Sequence, residues 1–350
     1  MIFTNGQDAL SREIEGFILA NVEESPRTIT RITMQKYRLT RPAVLGHVNR
    51  LVREGKLIAK GSTKDRAYAP AVLVDIVEHF PISPQSMDDT VWTATISPRL
   101  AGLPENVIRI CAYGFTEMVN NALEHSEGKT VTVGLRLTAA TVRLAIIDDG
   151  VGIFSKIARD LRLDEPREAI LELSKGKLTT DPDHHTGEGV FFTARMFDNF
   201  SIISDGLFFS HAQPSNDWLV ESDRRVPGTT VVLELSVVSD RTSQGVFDVY
   251  ADAEHGFSRT HVPVTLARYG DEGLVSRSQA KRLLARFNRF SEVALDFKGV
   301  TSIGQAFADE VFRVFPKQNP GVDLTPLNTN DDVRAMILRV MSSSVTTQEG

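Results

Sequence analysis

The chain has 350 residues, of which 41% are hydrophobic and 24% charged, and a formal net charge of -6. That length exceeds one ordinary domain, and the balance is that of a globular protein, which excludes a fibrous or disordered chain. A single cysteine, Cys111, excludes a disulfide framework and a multi-cysteine zinc site, and suits a reducing cytosol.

No apolar run approaches the roughly 18 residues of a membrane span. Asp8, Glu13 and Glu15 interrupt the stretch from Met1 to Ala20, so it does not read as a secretory signal. The expectation is a soluble, cytoplasmic, multi-domain protein with no membrane partner.

Charge is unevenly spread. Between Arg27 and Arg66, eleven basic residues oppose two acidic ones, a local +9 in an acidic chain. Such a cationic segment suits a polyanion or forms an ordinary solvated surface. Residues 7 to 22 carry Leu10, Ile14, Phe17, Ile18 and Val22 at helical spacing, and Thr28-Ile29-Thr30 opens a second helix. Thr40 then stands as an N-cap before Arg41-Pro42, opening a third. Val44, Leu45, Val48, Leu51 and Val52 point inward on that helix, and Arg41, His47, Asn49, Arg50 and Arg53 outward. A hairpin tipped by Lys64 and Arg66 follows. Residues 1–75 resemble a winged helix-turn-helix, which implies double-stranded DNA as partner through those five residues together with Lys64 and Arg66. Folds of this type also serve as protein-docking modules.

After a linker expected at 76–90, a helix spans Pro104 to His125 with Cys111, Phe115, Met118 and Ala122 on its buried face. Glu117 and Asn121 lie one turn apart and can address one ligand. A carboxylate and an amide there suit a water-activating base and an oxygen ligand for Mg2+. The same pair would also fit an ordinary solvent-facing surface. Runs 130–137 and 141–147 read as a hairpin that delivers Asp148-Asp149-Gly150-Val151-Gly152. His184-His185-Thr186-Gly187-Glu188-Gly189 enters another helix, whose exposed amides suit phosphate. Pro227-Gly228-Thr229-Thr230 opens a strand through Leu235.

These four motifs, in this order over about residues 90 to 237, resemble the Bergerat ATP-binding fold of the GHKL superfamily. The resemblance implies ATP and Mg2+ as cofactors. It implies Asn121 as the metal ligand, Glu117 as the catalytic base, and Asp148 as acceptor of the adenine amino group. It further implies Gly150 and Gly152 against the nucleotide, Gly187 and Gly189 beside the phosphates, Thr229 near adenine, and a mobile lid over 153–186. Glu188 departs from the pattern by occupying the middle of the third box. Lys175 and Lys177 are candidates to contact phosphate in compensation, as are His184 and His185. The His pair, with Asp181 and Asp183, also invites a metal reading.

After a second linker at 238–256, residues 257–350 alternate strands and helices. The stretch VALDFKGVTSIGQAFADEVF is similar to the STAS domains of anti-anti-sigma factors, with Gly304-Gln305 where that family has Asp-Ser, and Ser302 as the nearest hydroxyl. This region resembles a STAS-like domain attached to ATPases, which implies a protein partner. The expected fold class is therefore multi-domain α+β. It comprises a winged helix, a Bergerat α/β sandwich at 91–237 (a mixed sheet with helices on one face), and a small STAS-like α/β domain. The leading function is an ATP-responsive regulator with slow Mg-dependent hydrolysis, and a homodimer stays open. The alternative is a serine/threonine or histidine protein kinase, for which His79 is the nearest candidate acceptor histidine. A non-catalytic nucleotide sensor is a third class.

Overall fold

The computed structural model describes residues 4–62, 65–82, 88–178, 187–212, 216–221, 226–252, 256–268 and 272–342. Lys64, Asp181, Asp183, His184 and His185 lie outside them.

The chain opens with three helices, α1 (Thr4–Asn21), α2 (Ile29–Tyr37) and α3 (Arg41–Arg53). An antiparallel hairpin follows, β1 (Leu57–Lys60) with β2 (Ala67–Pro70). Ile14, Ile18, Val22, Ile29, Val44, Val48 and Leu51 form its own apolar core, closed from outside by Ala139 and Ala140. Leu10 is not part of that core; it is exposed. Thr40 occupies the N-cap of α3 in an extended conformation with Pro42 in the first turn, yet its side chain makes no cap bond.

The expected boundary at 75 moves back. β3 (Val72–Pro81) follows β2 directly and pairs along its length with β4 (Thr130–Thr138), so most of the 76–90 linker's first half is strand. After α4 (Asp88–Val91) comes the long α5 (Glu105–His125), then β4 and β5 (Thr141–Asp148). The helices α6 (Ile153–Leu161), α7 (Glu168–Lys175) and α8 (Gly189–Met196) lead into β6 (Asn199–Ser204), β7 (Leu207–Ala212), β8 (Asn216–Glu221) and β9 (Thr229–Ser236). The seven strands run in the order β3-β4-β5-β9-β6-β7-β8. Every neighbouring pair is antiparallel, which corrects the expected mixed sheet. Direct hairpins join β4 to β5 and β6 to β7, and such turns allow antiparallel pairing alone. Alternate residues of β9 (Thr229, Val231, Leu233, Leu235) are buried, the period-two signature of a sheet covered on one face. α5 turns Ile110, Cys111, Phe115, Met118 and Ala122 inward. Within it, Gly114 lets α8 approach, because a Cβ there would meet the Phe197 ring at 2.4 Å.

The expected linker at 238–256 contains α9 (Ser243–Tyr250), whose Phe247 packs on Tyr113 and Phe192 at centroid distances of 5.7 and 4.6 Å. A short pair, β10 (Ala251–Asp252) and β11 (Gly256–Phe257), then leads to the last unit. Its three parallel strands are ordered β12 (Arg259–Pro263), β13 (Glu292–Asp296) and β14 (Asp323–Leu327). They alternate with α10 (Arg277–Leu284), α11 (Gln305–Asp309), α12 (Phe315–Gln318) and α13 (Asp331–Ser342). A capping box of Ser276 and Gln279 starts α10. One apolar core runs without a break from the seven-stranded sheet into this unit, through Phe191, Phe192, Phe257 and Phe290. Among the described residues, no helix is long and apolar enough to cross a membrane.

Candidate functional site

α5, the end of β5, the start of β9 and the turn into α8 converge on a cleft of about 330 Å³. That volume falls within the roughly 300–1,000 Å³ of small-molecule sites. Glu117 and Asn121 enter it from α5, Asp148 and Gly152 from the strand end and the loop after it, Gly187 and Gly189 from the turn, and Thr229 from β9. Seven of the residues singled out in the sequence thus line one cavity.

Asp148 sits at the cleft floor because β5 pairs with the start of β9, Ile147 facing Thr230. The residue is 7% exposed, and Oδ1 accepts from the amides of Gly150 (2.9 Å) and Thr229 (3.2 Å). Burial pushes its carboxyl above the ordinary value, and these amides with the Thr229 hydroxyl oppose that rise. The next residue does the opposite job. Asp149 turns out of the cleft and accepts from the amides of Lys129 and Thr130 and from the Thr130 hydroxyl, at 2.7, 2.9 and 2.8 Å. Those bonds bring it down to about 2.

Glu117 lies directly against the glycine turn, since a Cβ on Gly189 would stand 1.9 Å from its Oε2. Any side chain at that position would displace the carboxylate. Glu188 lines the same cleft from the N-cap of α8. Burial, then the charges of Glu117 and Glu188, raise the phenol of Tyr113 one turn below Glu117. Two carboxylates therefore face this end of the cavity.

Three expected contributors do not line the cleft. Gly150 packs on Ser126, where a Cβ would meet the backbone oxygen at 2.0 Å, so its missing side chain serves a backbone crossing. Lys177 donates to the Arg289 carbonyl at 2.9 Å and lies over the rings of Phe257 and Phe290. Lys175, the other candidate phosphate contact, is fully buried and donates to Glu172 (2.6 Å) and to the carbonyls of Arg282 and Ala285 (2.9 and 3.0 Å). Carbonyls and a carboxylate inside the interface attract these ammonium groups away from the cavity. The expected lid is likewise folded from 153 to 178: α6 and α7 both pack into the core. Gly152 has φ +85° and lies against Asp205, whose carboxylate accepts from Ser155 at 3.0 Å and so occupies the start of α6.

Several lining residues escaped the sequence reading. Lys156 enters from α6 and pairs with Glu127 at 2.9 Å. It stands one turn beyond Gly152, a place where a cation beside an acidic cleft could have been sought. Leu173 and Leu178 form an apolar wall.

On the amino-terminal unit, Arg41, Asn49, Arg53 and Arg66 are exposed as expected. His47 is turned inward, its side chain 16% exposed, whereas Arg50 keeps 42% of its side chain exposed while bonded to α1. Arg50 pairs with Glu15 at 2.8 Å and donates to Ser11, and His47 Nδ1 lies 3.3 Å from Glu15, so α1 holds both. Among the described residues, no cluster of three His, Cys, Asp or Glu forms a metal site.

A buried acceptor, an acid–amide pair and glycine-bearing turns thus surround one cavity. Residues 82–207 match the histidine kinase-like ATPase domain. Such a domain implies ATP, usually with Mg2+. Residues 279–334 match a STAS-like domain of unknown function. No curated protein matches the chain.

Proposed function

We propose that this protein is an ATP-responsive regulator whose kinase-like ATPase domain binds Mg-ATP in the cleft and hydrolyses it slowly. The observation that carries this reading is the convergence of Glu117, Asn121 and Asp148 with Gly187, Gly189 and Thr229 on one cavity. Asp148 fits a purine: a buried carboxylate that spends one oxygen on two amides retains acceptor capacity for an exocyclic amino group. Asn121 would hold Mg2+ through its amide oxygen, and the ion would neutralise phosphate charge facing Glu117 and Glu188. Glu117 orients the attacking water and takes its proton, in the space that the missing side chain of Gly189 leaves for its carboxylate. No arginine finger can be placed from the sequence, which favours slow turnover.

The three helices and hairpin at the amino terminus would act as a winged helix on duplex DNA. Arg41, Asn49, Arg53 and Arg66 form its contact face, with Lys64 between the hairpin strands in sequence. His47 is turned onto α1, and Arg50, bonded to Glu15 and Ser11 of α1, keeps its side chain partly exposed at the edge of that face. The STAS-like domain would dock a protein partner, and nucleotide state would bias both outer units.

A protein kinase is the second reading, favoured by the kinase-like character of the matched domain. Radiolabelled ATP separates the two. Label released as free phosphate, and abolished in Glu117→Ala with ATP binding intact, supports hydrolysis. Label retained on a protein supports the kinase, and unchanged release in Glu117→Ala means that the base is misassigned.

A further inference from the structure

The cleft has a wall that the STAS-like unit holds from behind. α7 contributes Leu173 to the cavity, and Leu178 follows just after it. The chain between and beside them, at Glu172, Gly176 and Lys177, is gripped by Arg286, which lies beyond α10. One arm of the guanidinium donates to Glu172 Oε2 at 2.9 Å. The other reaches the carbonyls of Gly176, at 3.4 Å, and Lys177. Both Lys177 and Arg286 adopt left-handed backbone, with φ of 51° and 67°, so neither side of this contact is a relaxed loop. Lys175 pins the same segment to the Arg282 and Ala285 carbonyls, and Thr260 donates to the Lys175 carbonyl at 2.7 Å.

From there the connection to the chemistry is short. The residue after the gripped carbonyls, Leu178, donates its amide to Gly187 at 3.0 Å. Gly187 has φ +71° and sits so close that a Cβ would meet the Leu178 backbone at 2.4 Å. Two residues on, the Cα of Gly189 lies against the Glu117 carboxylate. Arg286 therefore holds 176–177, these hold Leu178, Leu178 holds the glycine turn, and the turn abuts Glu117.

We propose that Arg286 of the STAS-like unit is a positioning residue for the phosphate end of the nucleotide site, so that this unit completes the site and does not merely adjoin it. The proposal rests on the nucleotide reading above. It makes a distinction that simple stabilisation does not: the grip acts on the glycine turn, while the purine end at Asp148 and Thr229 is built on β5 and β9.

The test uses the full chain and two probes, Mg-ATP and adenosine, each competed against a fluorescent ATP analogue. Arg286→Ala should weaken Mg-ATP by roughly tenfold, as expected if the aligned turn becomes a minor population. Adenosine affinity should stay unchanged. Arg286→Lys, which keeps a cation for Glu172 but loses the second arm, should fall between; if the alanine variant does not fold, this variant carries the comparison. An unchanged ratio of the two affinities, whether both persist or both fall together, overturns the proposal. Wild-type protein that binds neither probe removes the nucleotide reading itself, and this proposal with it.

Discussion

Asp148 and Asp149 are consecutive carboxylates that the fold sends in opposite directions. Asp149 is held at about 2, below the ordinary 3.8, by two amides and a hydroxyl. A lowered folded-state value means that the unfolded chain binds the proton more tightly, so this contribution is complete above 3.8 and is lost as pH falls towards 2. Urea unfolding across that window should show the wild type losing its advantage over Asp149→Asn, with the curves converging near the acid end; parallel curves would contradict the assignment. Asp148 has the reverse sign: its burdened carboxylate gains nothing for stability at neutral pH. Asp148→Asn should therefore keep the unfolding midpoint while losing ATP affinity, which would mark the group as functional. The DxGxG spacing exposed this pair to sequence reading, because a strand end followed by glycines is a local pattern. It could not show that Gly150 faces Ser126, nor that Lys177 answers to Arg289, since those partners are set by tertiary packing. His47 was hidden for the same reason: helical spacing gives a face, and here Glu15 of α1 covers its edge at His47.

Among elements, those with strong local signals were legible: α5, the β4–β5 hairpin, α8 and β9 emerge from periodicity and turn residues. The β6–β7 hairpin offered a signal that was passed over, Asp205-Gly206, whose φ values of 56° and 78° are those of a tight two-residue turn. β14 was not legible, being short, largely exposed and interrupted by Pro326. Nor was the fate of α7. Seen locally, 153–178 is a charged stretch between glycine boxes; in the fold, α7 is buried from Ala169 to Lys175 by residues about 110 positions away. Phe257 is the apolar counterpart of that junction, in ring contact with Phe191, Phe192 and Phe290 and lying over Gly176. Truncating it to alanine should destabilise the protein by about 3–5 kcal/mol. Because the core is continuous, calorimetry should show the ATPase and STAS-like units shifting together; a shift confined to one of two separate transitions would argue that they fold independently.

At the scale of the molecule, two units share one core and a third keeps its own, meeting the others through β3 and the Ala139–Ala140 turn. The basic amino-terminal unit is thus the one whose core is separate from that of the cleft-bearing unit. If it binds duplex DNA, affinity should fall steeply with salt, and Arg53→Ala or Arg66→Ala in the full chain should each reduce the logarithmic slope by about 1. A slope unaltered by both would place the DNA face elsewhere. All of this depends on a nucleotide held by its metal at Asn121, and thermal unfolding with and without Mg-ATP tests that directly. At a hundredfold excess over the dissociation constant, binding to the folded state should add about 2.7 kcal/mol and raise the wild-type midpoint. Asn121→Ala should lose most of that rise while unfolding normally without ligand. A wild-type midpoint that Mg-ATP leaves unmoved, or a rise equally large in the variant, would contradict the account.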